Sequence, residues 1–194
     1  MTGTTKVEAT NVVGVKPGAV TIAAKGGKIT HVKSSDVKTG ATHGTDKLSV
    51  LTDALGKNGT WLAAGTADID GAGKTVTIDG TFIGSNGLIV RKLALYAQND
   101  QRQVAKTYTL TVAKLVVNSP HTVIANGEIK GDVYVTKSAI GFAAQNTKDT
   151  TGKQVTAKID GNLYFATQAQ LDAYNKLPET AKYDVTGKTE VKAI

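Results

Sequence analysis

Apolar and polar residues alternate along much of the chain, most clearly over 74–117, KTVTIDGTFIGSNGLIVRKLALYAQNDQRQVAKTYTLTVAKLVV. Successive side chains of a strand point to opposite faces, so a period of two predicts strands. In the first, Val76, Ile78 and Phe82 share one face and Thr75, Thr77, Asp79 and Thr81 the other. Gly80 marks a bulge or a close backbone contact in it. Gly84-Ser85-Asn86-Gly87 then supplies a turn. A second strand over 88–97 puts Leu88, Val90, Ala94 and Tyr96 on one side and Ile89, Leu93 and Leu95 on the other. Both faces are apolar, so a central strand covered on both sides is expected. Arg91 and Lys92 inside it mark an end, an edge or a subunit contact. A polar turn over 98–103 leads to a long third strand, 104–117, with Tyr108, Leu110 and Val112 on one face.

The flanking segments give shorter runs. A strand is expected over 7–15, a turn at Pro17-Gly18, and a hairpin around Gly26-Gly27 that joins Val20, Ile22 and Ala24 to Ile29, His31 and Lys33. The polar stretch 34–46 reads as an exposed loop, and 47–55 suits a strand or a helical turn equally. After a break at Asn118-Ser119-Pro120 come short strands over 121–125, 132–136 and 138–144, a polar loop over 146–153, a strand over 154–165 and a last strand over 183–191. One helix is expected over 168–177. Thr167 and Gln170 form a capping box, Leu171, Tyr174 and Leu177 recur at helical spacing, and Pro178 ends it. The run 73–80 echoes 152–161, and the echo is read as shared turn chemistry, because a solenoid needs about three stacked units.

These elements predict a mainly β protein. The expected architecture is an antiparallel β-sandwich or barrel-like domain with one short helix near the C-terminus. The break at 118 divides a sandwich-like domain, 1–118, from a smaller β-rich domain with the helix, 119–194, unless the whole is a single domain.

With 194 residues the chain can bury a core without staples, and with no cysteine it has neither disulfides nor thiolate metal sites. The formal charge is +7, carried mostly by scattered lysines, which reads as a solubility feature more than as a nucleic-acid footprint. The N-terminal segment lacks the apolar core of a signal peptide, and no apolar run approaches the ~20 residues of a membrane span. Synthesis in a cytoplasm without a membrane anchor is therefore expected.

The sequence offers little chemistry. Gly73-Lys74-Thr75 resembles the end of a phosphate-binding loop, but Asp68 stands where that loop needs glycine, and a strand rather than a helix follows. Asp68-Ile69-Asp70-Gly71 resembles the start of a calcium loop without its later acidic ligands, and reads as a polar turn. His31, His43 and His121 have no carboxylate partner at ligand spacing. No catalytic, cofactor-binding or metal-binding set is assigned, and no enzyme activity is expected. Tyr96, Tyr108 and Tyr164 sit among aliphatic residues and read as core or interface, where single-strand nucleic-acid binding would need them exposed beside lysines.

Val76, Gly80, Phe82, Leu93, Leu95, Tyr96 and Ala97 follow a pattern of a V-x-G-x-F strand and then an L-x-x-I-G-L-Y-A strand, with Ala94 where the pattern has glycine. In this the chain resembles the β-domains of tail appendages, baseplates and tail fibres, of phages that infect Gram-positive bacteria. The resemblance implies a virion structural protein of the phage tail that works as a homo-oligomer, a trimer or hexamer, beside other tail or baseplate proteins. Trp61, Phe82, Leu93, Leu95, Tyr96 and Tyr108 are its expected packing and interface residues. The alternatives are a receptor-binding module for host cell-wall polysaccharide, using loops such as 34–46 and 146–153, or a tail-tube or capsid protein.

Overall fold

The computed structural model describes residues 2–8, 19–25, 28–32, 44–84 and 87–193. Strands β1 (Thr2–Glu8), β2 (Ala19–Lys25) and β3 (Lys28–Val32) form a small antiparallel sheet in that order. The two runs beside Gly26-Gly27 thus pair as a hairpin. Most of the strand expected over 7–15, the turn at Pro17-Gly18, most of the loop over 34–46 and Ser85-Asn86 lie outside the described residues.

From residue 44 the chain coils. Strand β4 (Gly44–Thr45) leads into helix α1 (Leu48–Leu55), then β5 (Leu62–Gly65), β6 (Ile69–Ile78) and β7 (Arg91–Ala94). A hairpin of β8 (Tyr96–Gln98) and β9 (Val104–Thr107) follows, then β10 (Thr109–Val117), β11 (Thr122–Ala125), β12 (Glu128–Val135) and β13 (Ala143–Gln145). A second hairpin, β14 (Thr147–Lys148) and β15 (Gln154–Val155), precedes β16 (Lys158–Asp160), β17 (Leu163–Phe165), helix α2 (Gln168–Asn175), β18 (Asp184–Val185) and β19 (Thr189–Val191). One parallel sheet runs β4-β5-β7-β11-β13, and another stacks β6, β10, β12, β16 with β17, and β18 with β19. From β5 to β13, the β8–β9 hairpin aside, consecutive strands fall in alternate sheets, so each circuit there adds a rung to both, while β16 to β19 all join the larger sheet.

The pairing overturns the antiparallel sandwich or barrel. The protein is mainly β and carries the expected C-terminal helix, with α1 as a second helix, but its main sheets are parallel. Alternation fixes which side chains face inward and is silent on strand direction. Parallel strands need a long crossover, usually a helix. Here strands of the other sheet serve as the crossover. The register shifts inside β10, at 112–114 against β6 and 111–114 against β12, and the breaks between β16 and β17 and between β18 and β19 fold the larger sheet at a corner. The coil thus has three faces. The first holds 69–71, 110–112, 128–130, 158–160 and 184–185. The second holds 75–78, 114–117, 132–135, 163–165 and 189–191. The third is the β4-to-β13 sheet. Strand β10 pairs with β6 on one side and β12 on the other, so the boundary placed at 118 falls on a corner of the coil.

Inward side chains stack rung on rung. Ile69, Leu110, Ile129 and Ile159 form one buried column, and Val76, Leu115, Val133 and Leu163 a second. Ile78, Val117, Val135 and Phe165 form a third, and Ala63, Leu93, Ile124 and Ala144 line the third face. Full burial of each large aliphatic side chain stabilises the coil by about 1.5–3 kcal/mol.

The corners are set by glycine and short polar residues. Gly131 adopts φ 138° and lies so close to the rung below that a Cβ would overlap the Val112 carbonyl oxygen. The next residue, Asp132, accepts hydrogen bonds through Oδ1 from the Asn162 backbone N–H and Nδ2, both at 2.9 Å. Asn162 Oδ1 in turn accepts from the Lys188 N–H at 2.9 Å. Gly131-Asp132, Gly161-Asn162 and Gly187-Lys188 are therefore equivalent positions on successive rungs. At another corner the buried Asn126 donates through Nδ2 to the Val155 carbonyl at 2.8 Å, and Asn146 donates to the Lys182 carbonyl at 2.9 Å.

Both ends are closed by helices. Helix α1 buries Leu51, Ala54 and Leu55 against the first rungs. The fully buried Arg91 holds it there, donating through Nη2 to the carbonyls of Ala54 at 2.9 Å and Gly56 at 3.1 Å. Its guanidinium carbon lies 3.9 Å from the centre of the Phe82 ring. Burial draws the Arg91 pKa from 12.5 down to about 10, against the opposing charge of Asp79. It stays a cation at neutral pH, favourably placed at a helix C-terminus.

At the other end α2 covers an aromatic cluster of Phe142, Phe165, Tyr174 and Tyr183, with ring centres of Phe142–Tyr183 at 5.1 Å and Phe165–Tyr174 at 5.2 Å. Tyr183 Oη donates to the Ala143 carbonyl and accepts from the Ile124 N–H at 3.1 Å. Thr167 caps α2 by accepting from the Gln170 N–H at 3.3 Å. In the other half of the expected box Gln170 Oε1 accepts from the Thr167 hydroxyl at 3.1 Å rather than from its backbone N–H, while Gln170 Nε2 donates to the Thr136 carbonyl at 2.7 Å and ties the helix to the coil.

Candidate functional site

The outward side chains give each face a different character. On the first face Glu128, Lys158 and Asp184 are in register, as are Asp70, Thr111, Lys130 and Asp160. Lys158 Nζ lies 2.9 Å from Glu128 Oε1. Alternating signs along the coil neutralise this face internally.

On the second face Thr77, Val116, Tyr134, Tyr164 and Glu190 form one column, in which Tyr134 is half-buried, Tyr164 is buried at 7% exposure and Glu190 is exposed. The Tyr134 and Tyr164 rings are 4.8 Å apart and tilted by 41°. Lys114 Nζ sits 4.0 Å from the Tyr134 ring centre, and Lys192 Nζ 4.2 Å from that of Tyr164 and 5.5 Å from that of Tyr134. Ammonium–ring contacts of this kind contribute about 0.5–1 kcal/mol each at exposed sites. Lys114 and Lys192 form no ion pair among the described residues.

On the third face the half-buried Leu62, Lys92, Val123 and Ala143 are in register beside Ala64, Ala94, Ala125 and Gln145, of which Ala94 and Ala125 are buried. Lys92 is its one charge. Its ammonium lies 5.7 Å from the Tyr96 ring centre, and burial lowers its pKa from the usual lysine value. The corner feeding this face joins Trp61, Arg91, His121 and Ile140 through backbone hydrogen bonds, among them Lys92 N–H to Trp61 at 2.7 Å and His121 N–H to Ile140 at 2.7 Å. Large apolar side chains gather along it: Ile83 is 67% exposed, Leu88 64%, Ile140 55% and Ile89 47%.

The residues expected to pack or to meet a partner are dispersed. Leu93 and Leu95 are fully buried in the core. Phe82 lies beneath Arg91. Trp61 and Tyr96 are half-buried beside the third face. Tyr108 is half-buried at the step between β9 and β10, with Lys106 Nζ 5.4 Å from its ring centre, so the single strand expected over 104–117 is broken there. Asp68 and Asp70 serve the backbone, accepting from the Thr109 N–H at 2.8 Å and the Ala72 N–H at 2.9 Å. Among the described residues no three His, Asp or Glu side chains are grouped to hold a metal ion, and no helix is long and apolar enough to cross a membrane.

The two hairpins are built alike. Asn99 Oδ1 accepts from the N–H groups of Gln101 and Gln103, and Asp149 Oδ1 from those of Thr151 and Lys153. The Thr151 hydroxyl also donates to Asp149 and holds that carboxyl below its usual range. A parallel bridge between Val104 and Asp149 sets the hairpins side by side.

The sequence reading missed Tyr134 altogether. The signal was present, since Ile129-Lys130-Gly131-Asp132-Val133-Tyr134-Val135 and Ile159-Asp160-Gly161-Asn162-Leu163-Tyr164-Phe165 share glycine, tyrosine and three apolar positions. The echo of 73–80 with 152–161 lies out of register with the coil, where Ile159 stacks on Ile129, Leu110 and Ile69. Compared with known proteins, the chain matches no family model, no curated protein and no solved structure.

Proposed function

We propose that the chain is a structural subunit of an assembled particle, in keeping with its resemblance to phage tail appendages, and that it joins copies of itself through the third face. One observation carries this reading. Ile83, Leu88, Ile89 and Ile140 are exposed along the corner that feeds a face whose single charge is the desolvated Lys92. Exposed apolar groups gathered in this way mark interaction surfaces, while scattered ones do not. The first two faces carry the charges that keep them solvated. Closed cyclic symmetry, as in a trimer or hexamer, would cover the corner in every copy.

Light scattering during gel filtration tests the proposal. The purified chain is expected to elute as a discrete oligomer, and the double substitution Ile89→Asp and Ile140→Asp to elute as a monomer with an unchanged circular dichroism spectrum. A wild-type monomer at concentrations of about 100 μM, where even weak specific contacts of about −5.5 kcal/mol associate, overturns it.

A further inference from the structure

We propose that the second face binds a linear acidic polysaccharide, with Lys114 and Lys192 meeting its carboxylates and the hydroxyl of the half-buried Tyr134 bonding to a sugar hydroxyl. The site comes from the coil's register. Tyr134 and Tyr164 are neighbours only because β12 and β17 pair, and Lys114 and Lys192 reach them from β10 below and from the residue after β19 above. Both lysines lack an acidic partner among the described residues, and each is oriented by a ring face, so little side-chain freedom remains to be lost on binding. Neighbouring strands are about 4.8 Å apart. The register therefore sets one cation beside each member of a phenol pair, and a regularly charged linear polymer matches that spacing.

The acids nearby are few. Asp132, in register with Lys114, is engaged by Asn162, and Glu190 stands beside Tyr164 in the same column. Single-stranded nucleic acid is disfavoured by the same geometry. Base stacking needs open ring faces, and here ammonium groups sit over both rings at 4.0 and 4.2 Å.

Isothermal titration at low salt with alginate, neutral dextran and oligothymidine decides the matter. Alginate is expected to bind, to weaken as salt rises, and to outcompete both other probes. The double substitution Lys114→Gln and Lys192→Gln should weaken alginate binding about tenfold, the effect of losing two exposed charge contacts. Tyr134→Phe, which keeps the ring and removes the hydroxyl, should weaken it less. Glu190→Gln should strengthen it. Lys114, Tyr134, Glu190 and Lys192 are all half-buried or exposed, and an unchanged melting temperature will show that each variant folds. Alginate binding no tighter than dextran, tighter binding of oligothymidine, or full affinity in the lysine double variant overturns the proposal. The outcome is independent of the oligomeric state, because the monomeric Ile89→Asp, Ile140→Asp variant retains the whole second face.

Discussion

Gly131→Val is expected to destabilise the protein by about 3 kcal/mol or more, a large part of the 5–15 kcal/mol that holds a typical domain together. A side chain at φ 138° is strained, at a cost of about 1–3 kcal/mol. Its Cβ would also overlap the Val112 carbonyl oxygen, so the rungs must separate to admit it. Forced displacement of packed groups adds about 1–3 kcal/mol. The damage spreads, because Asp132 on the same corner holds Asn162 and Asn162 holds Lys188. Gly73 is the control. It too has a positive φ, 74°, but a Cβ there meets nothing within 4 Å. Gly73→Ala should cost about 1 kcal/mol, from backbone strain alone. Urea unfolding followed by circular dichroism measures both, and equal midpoints for the two variants would refute the stacked-corner account.

Phe165→Ala is expected to cost about 3–5 kcal/mol, the usual range for an aromatic residue truncated in a core. Phe165 is the last fully covered member of the column of Ile78, Val117 and Val135, with the exposed Val191 on the rung beyond, and it touches Phe142 and Tyr174 beneath α2. The consequence should be local. In a stacked coil each rung contacts chiefly its neighbours, so an end can open while the middle persists. Limited proteolysis of this variant should cleave after residue 165 and leave a resistant fragment containing β5 to β13. The Gly131→Val variant, broken in the middle, should yield no such fragment. Uniform degradation of both would show that the coil unfolds as one unit.

The two expectations depend on features that were unequally visible beforehand. Alternation placed Val76 with Ile78, Leu93 with Leu95, and Leu110 with Val112, and all six are buried. The cap at Thr167 and the stop at Pro178 bracketed α2 correctly. The repeat was hidden because its rungs differ in length. Residues 96–107 and 147–155 form hairpins inserted at one corner, whereas Asn126-Gly127 turns the equivalent corner at once. The glycine and apolar positions shared by 128–135, 158–165 and 184–191 are therefore unevenly spaced.

The candidate surfaces were less visible still. Trp61, Phe82 and Tyr108 were expected to pack or to meet a partner, yet each is only half-buried and they form no single cluster, and Leu93 and Leu95 are core. Tyr134 acquires meaning only from Tyr164 beside it, and Ile140 only from Ile89 on the same corner.

By itself the sequence determined which side chains turn inward and where the last helix begins and ends, because burial and capping are local demands met within a few residues. Only the tertiary structure decided that the strands run parallel, which rung stacks on which, and hence that two tyrosines and two lysines, from three strands and the residue after a fourth, share one face. The physical reason is that an alternating strand satisfies its own pleat equally well beside a neighbour of either direction. The neighbour is selected by the fit of whole columns, such as Ile69 to Ile159, and no single segment contains a column.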